Sequence, residues 1–189
     1  VGDNAGDVTI TAIAVTRTNN YRLTVDINYS VLEGPLGYYD VKESDWFFPG
    51  VEFVTEAGLM NGVGGNLFAP TQSMTRAMLV TTLYRYAGSP EIEQATSSFS
   101  DVLEGQWYSD AIAWAQKQGI IEGYGNGLFG TNDPVTRQEL AVILYRFTEK
   151  QEEDLSEEAD LSKYADVGKV AQWAETAMKW AVAEGIVEG

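Results

Sequence analysis

The feature that most constrains the fold is an internal repeat. The stretch GIIEGYGNGLFGTNDPVTRQELAVILYRF, from Gly119 to Phe147, restates GLMNGVGGNLFAPTQSMTRAMLVTTLYRY, from Gly58 to Tyr86, at a step of 61 residues (Thr75 to Thr136). A chain that repeats at such a period folds as successive copies of one small unit, each burying its apolar face on its neighbours. Asp40-Val41 pairs with Asp101-Val102, Trp46 with Trp107, Gly58 with Gly119, Gly62 with Gly123, and Leu67-Phe68 with Leu128-Phe129. A third copy opens at Tyr164-Ala165-Asp166-Val167, continues through Trp173 and Trp180, and stops at Gly189, which aligns with Gly62 and Gly123. It lacks the loop and the Thr-Arg helix of the others, so the sequence is expected to be cut inside a repeat.

Each unit reads as helix, glycine-rich loop, helix. In the second copy Tyr108, Ala111, Ile112 and Ala115 fall at i, i+3, i+4 and i+7, one apolar stripe. Phe47, Gly50, Val51 and Val54 match them in the first copy, and Ala174, Ala177, Met178 and Ala181 in the third. Phe53, Trp114 and Trp180 are expected in the core. Trp46, Trp107 and Trp173, nearer the helix start, read equally as core or as the edge of a groove that stacks sugars. Gly58, Gly119 and Gly185 follow each first helix, where a left-handed closing residue is wanted. Gly62 and Gly123 sit in loops whose glycines suit either close approach of a ligand or a tight turn. Leu67-Phe68 and Leu128-Phe129 read as apolar plugs, and Leu79, Leu83, Tyr86, Leu140, Ile143, Leu144 and Phe147 as the buried faces of the second helices.

Thr136-x-x-Glu139 is a capping box that opens the second helix of its copy. Arg137 follows at the first helical position, an end that already favours anions. In the first copy Thr75 and Arg76 are in place but Met78 replaces the glutamate. The bland reading of Arg76 and Arg137 is pairing with acidic neighbours, which abound; the functional reading is recognition of an anionic ligand.

Residues 1–37 differ in kind. Tyr21, Leu23, Val25, Ile27 and Tyr29 alternate with polar residues, a second alternating run spans Val8 to Ala14, and Thr18-Asn19-Asn20 between them is turn chemistry. A β-hairpin is expected, read as the tail of an upstream β-domain, with Gly34-Pro35-Leu36-Gly37 as hinge. The domain plan is then 1–37 hairpin, 38–92 first repeat, 98–150 second repeat, 151–163 acidic solvated linker, and 164–189 the first half of a third repeat.

Composition narrows the chemistry. With no Cys and no His, thiolate zinc sites, a Cys nucleophile and the commonest general base are excluded. No EF-hand spacing is present and no cofactor is called for. A net charge of -16 argues against nucleic acid and against anionic lipid surfaces, and no apolar run is long enough to insert in a membrane. The diffuse acidity does not exclude an anionic polymer, because exposed charges beyond roughly 8–10 Å are screened at physiological salt.

Taken together, the Asp-Val start, the Trp-led helix, the Gly-Ile/Leu-x-x-Gly turn and the Thr-Arg-x-Glu helix start resemble the S-layer homology (SLH) family over residues 38–189. The resemblance implies a mainly α fold of tandem helix-loop-helix repeats around a pseudo-threefold axis. It also implies non-catalytic anchoring of a secreted protein, outside the bacterial cell, to a cell-wall polysaccharide that often carries pyruvate ketals. Thr75, Arg76, Thr136, Arg137, Glu139, Trp46, Trp107, Gly62 and Gly123 are the ligand-binding candidates, each arginine gripping a polymer carboxylate. One ionic hydrogen bond contributes roughly 1.5–3 kcal/mol and micromolar affinity needs about 8 kcal/mol, so sugar stacking and several grooves on one polymer must supply the rest. The alternative is a protein–protein assembly module, with a homo-oligomer formed through the incomplete third repeat. A glycosidase is disfavoured, since no carboxylate pair recurs on the loops.

Overall fold

A computed structural model describes residues 7–15, 22–30, 34–93 and 96–188. Strands β1 (Asp7–Val15) and β2 (Arg22–Ser30) pair antiparallel, with Asp7 opposite Ser30 and Val15 opposite Arg22. The turn expected at Thr18-Asn19-Asn20 lies outside the described residues, as does Gly189. The rest is helical: α1 (Phe48–Glu56), α2 (Arg76–Tyr86), α3 (Ser109–Lys117), α4 (Arg137–Lys150) and α5 (Glu175–Ala183). The chain divides into two compact units, residues 1–72 and 73–189.

In the first unit a short 3-10 turn at Pro35–Gly37 leads into a small core of Tyr38, Val41 and Val51, joined by Leu36, Phe47, Phe48 and Phe68. Helix α1 has no side-chain cap and carries Pro49 in its first turn, where the missing N–H does least harm. Phe53 departs from expectation. It is 63% exposed, whereas Trp114 and Trp180 at the same register are buried. The difference is the neighbour: Tyr84 of α2 lies 5.5 Å from Trp114 and Tyr145 of α4 lies 5.5 Å from Trp180, ring centre to ring centre.

Those two contacts disclose how the second unit is built. Helix α2 packs on α3, and α4 packs on α5. The second helix of one copy therefore lies on the first helix of the next. Ala77, Leu79, Val80 and Leu83 meet Tyr108, Ala111, Ile112, Trp114 and Ala115, and Ile143 and Phe147 of α4 close the same core. Ala174, Ala177, Met178 and Ala181 form the second core with Ala141. Tyr86 is exposed, contrary to expectation, because it is the last residue of α2, beyond the buried Leu83. The acidic linker is not simply solvated either. Leu161 is buried, Leu155 packs on the second core, and the Ala159 N–H donates to the Lys179 carbonyl at 3.1 Å.

Candidate functional site

The start of α2 is built by the expected cap: Thr75 Oγ1 accepts the Met78 N–H at 3.2 Å. Arg76 then does not project outward. Its side chain is only 5% exposed and donates to the Phe129 carbonyl through Nε (2.9 Å), to Glu139 Oε1 through Nη1 (2.6 Å) and to the Glu122 carbonyl through Nη2 (3.1 Å). The guanidinium also lies 4.8 Å from the centre of the Tyr124 ring and 4.6 Å from that of Phe129. Three of the fork's five N–H donors are bonded to protein acceptors and its faces lie beside aromatic rings, in a side chain almost closed to solvent. Of the two readings of Arg76, pairing with an acidic neighbour is the one the geometry displays, as a lock between the first and second copies.

Glu139 serves both sides of that lock. Its Oε2 accepts the Thr136 N–H (2.9 Å) and hydroxyl (2.8 Å), completing the capping box, while Oε1 holds Arg76. Thr136 is likewise engaged, its Oγ1 accepting the Glu139 N–H at 3.3 Å. Backbone pairs stitch the same seam: the Arg76 N–H donates to Asp133 and the Val135 N–H to Met74. Arg137 is different. It is exposed, and among the described residues it has no ion pair or side-chain hydrogen bond. It lines a cavity of about 270 Å³ with Tyr164, Asp166, Lys169, Val170 and Met178.

The loops are held by a device that the sequence candidates missed. Asp40 accepts the N–H groups of Phe68 (2.8 Å) and Ala69 (2.7 Å). Asp101 accepts those of Phe129 (2.8 Å), Gly130 (2.7 Å) and Thr131 (3.3 Å). Burial pushes the Asp101 carboxyl upward, but these loop N–H bonds outweigh it and hold the group below its ordinary value. Two residues before each aspartate an aromatic ring meets the loop phenylalanine, Tyr38 on Phe68 at 5.3 Å and Phe99 on Phe129 at 5.6 Å. The sequence held a signal for this latch: each aspartate stands 28 residues before its phenylalanine in both copies. Only the phenylalanine is a plug, since Leu67 and Leu128 remain partly exposed.

Gly62 and Gly123 belong to this packing. A Cβ on Gly62 would collide with the Leu67 carbonyl and meet Tyr38 at 2.9 Å; on Gly123 it would collide with the Leu128 carbonyl and stand 2.5 Å from Phe99. Close approach is the reason for both glycines, as the loops allow, but the approaching groups are the protein's own. The tryptophans at the helix starts behave otherwise. Trp46 is 91% exposed, Trp107 58% and Trp173 61%, so the core reading fails for all three. Two of them stand edge-on to the next residue, Trp46 on Phe47 at 5.6 Å and Trp107 on Tyr108 at 5.2 Å, and remain accessible.

Residues 37–77, 98–141 and 163–189 match the S-layer homology domain, the third segment reaching the chain end. The chain belongs to the S-layer homology family. An SLH module of this kind is a surface-anchoring unit, and its place is outside the cell, at the bacterial surface and wall. Among its relatives is the S-layer protein sap of Bacillus anthracis, 33% identical over 56% of this chain and 13% of that protein. The cellulosome-anchoring protein of Acetivibrio thermocellus is 28% identical over 70% of this chain and 30% of its own length. Exoglucanase XynX of Acetivibrio thermocellus is 29% identical over 84% of the chain, which spans 14% of that enzyme. Proteins with unlike names thus share this SLH stretch as a small part of their length.

Proposed function

We propose that this SLH segment holds its parent protein on a cell-wall polysaccharide, one bearing pyruvate ketals, and that the sugars are met by Trp46, Trp107 and Trp173. The observation that carries the reading is the exposure of all three tryptophans at one register. Leaving an indole in water forgoes roughly 2–4 kcal/mol of burial. Doing so in every copy points to a surface kept for a flat apolar partner, and a sugar ring face is such a partner. Several weak platforms on one polymer give avidity that no single contact supplies. Arg76 is left out of the proposed polymer site because its guanidinium is buried against Glu139.

The test is co-sedimentation with purified wall. Because the three indoles are exposed, Trp→Ala at each should leave the fold intact, and each is expected to weaken retention about tenfold. A triple alanine variant that sediments like the parent protein would refute the platform reading. Equal retention by wall stripped of pyruvate would remove the acidic group from the recognised ligand.

A further inference from the structure

The turn that leads into each exposed tryptophan is closed by a different group in each copy. In the first, the residue before the indole closes it: Asp45 Oδ2 accepts the Lys42 N–H at 2.8 Å. In the second, Ser109 has that task, its Oγ accepting the Gln106 N–H (2.8 Å) and donating to the Leu103 carbonyl (2.7 Å). In the third, Gln138 of α4 reaches across, and its Oε1 accepts the Ala171 N–H at 2.7 Å. The position before the indole is therefore structural in the first copy and relieved of that duty in the other two. There the sequence places glutamine both times, Gln106 before Trp107 and Gln172 before Trp173. Both glutamines are exposed, and among the described residues neither side-chain amide has a hydrogen-bond partner.

An indole face and a polar group beside it divide the work of holding a sugar. Stacking supplies area without direction, and the polar group fixes orientation and gives selectivity. Consecutive Cα atoms stand about 3.8 Å apart, so an amide on the neighbouring residue is within reach of the rim of a ring laid on the indole. A neutral amide carries two N–H donors and an acceptor, and its donors bond more strongly when the acceptor is a carboxylate. Asp45 carries acceptors only, is already engaged by Lys42, and opposes an acidic group by its charge. On the reading of the tryptophans as sugar platforms, on which this rests, we infer that Gln106 and Gln172 select the acid-bearing sugar at the second and third platforms. Each amide donates to the ketal carboxylate while the sugar ring lies on the adjacent indole. The Trp46 platform lacks that donor and adds stacking without the selection.

The experiment sediments the full chain with purified wall and with the same wall after removal of pyruvate, and reads the ratio of the two retentions. Gln106→Glu with Gln172→Glu keeps the shape of both exposed side chains and turns each donor into a charged acceptor. The preference for pyruvylated wall should then fall about tenfold or more, the lower end of what a hydrogen bond to a charged group contributes. Gln118→Glu with Gln151→Glu adds the same charge at the closing ends of α3 and α4, and screening should leave the ratio as in the parent chain. Trp46→Ala should lower retention on both walls by the same factor, whereas Trp107→Ala should lower it chiefly on pyruvylated wall. A ratio that the Gln106 and Gln172 pair leaves unchanged, or that the control pair lowers equally, overturns the selection by these glutamines. The platform reading fails on a different result, the triple tryptophan variant sedimenting like the parent. A parent chain that holds both walls equally leaves no acid to select and overturns the inference as well.

Discussion

Glu139→Gln isolates the lock at Arg76, since glutamine keeps the shape and an acceptor for the Thr136 cap while removing the charge. Arg76 and Glu139 are 2.6 Å apart with side-chain exposures of 5% and 15%. Removing one member of a buried pair costs about 3–5 kcal/mol, most of it from the charge left behind. Here Arg76 would retain the Phe129 and Glu122 carbonyls and two ring faces, so roughly 2–3 kcal/mol is expected. For a chain of this size, about 2–4 °C of melting temperature per kcal/mol puts the loss at roughly 5–10 °C. Arg76→Met should cost a similar amount. The double variant should cost clearly less than the sum, with a coupling near 2 kcal/mol. Urea unfolding is best followed by amide signals of α2 and α4, because two units need not unfold as one. Single variants that each lose under about 0.5 kcal/mol and combine additively would show that the guanidinium is not engaged inward. Adhesion of folded Arg76→Met to wall should match the parent protein.

Phe129→Ala removes a side chain with no exposure and should cost about 3–5 kcal/mol in a thermal or urea melt, with release of the Asp101 latch seen as faster amide exchange at Gly130. Asp101 has a lowered folded-state value, so its carboxylate stabilises the loop above the ordinary aspartate range near pH 3.9, and that contribution is lost as pH falls through the lower folded value. The melting-temperature gap between parent and Asp101→Asn should therefore hold steady from about pH 7 to 5 and close below about pH 4; a gap unchanged at low pH would contradict the latch. Gly123→Ala should destabilise the second unit by about 1–3 kcal/mol through overpacking against Phe99 and the Leu128 carbonyl, measured by denaturant melts.

Much of the architecture could be read from the repeat. The positions of Trp114 and Trp180 in the core, the capping box at Thr136 and the closing glycines after the first helices all follow from local spacing. What escaped was the identity of the partners, because that is set by which copy packs on which. Phe53 has the same local pattern as Trp114, yet its exposure depends on a neighbouring helix that no pattern within its own copy reveals. For Arg76 the sequence offered acidic pairing as one of two readings but could not name the partner, for the same reason. A guanidinium at a helix start looks free until the next copy's Glu139 and Phe129 arrive across 63 and 53 residues of chain. The latch aspartates were visible as a repeated Asp-Val, but their carboxylates take backbone donors that carry no side-chain signature.

The phase shift between sequence copies and packed pairs bears on how such a protein can be cut and rejoined. Splicing at the apparent copy boundary, between α2 and α3, would saw through a shared hydrophobic interior. A joint near Gln72 and Ser73, inside a copy by sequence but at the edge of a compact unit, would spare it. Shuffled or shortened versions of this segment should therefore be designed like overlapping bricks, with the seams staggered from the repeating text.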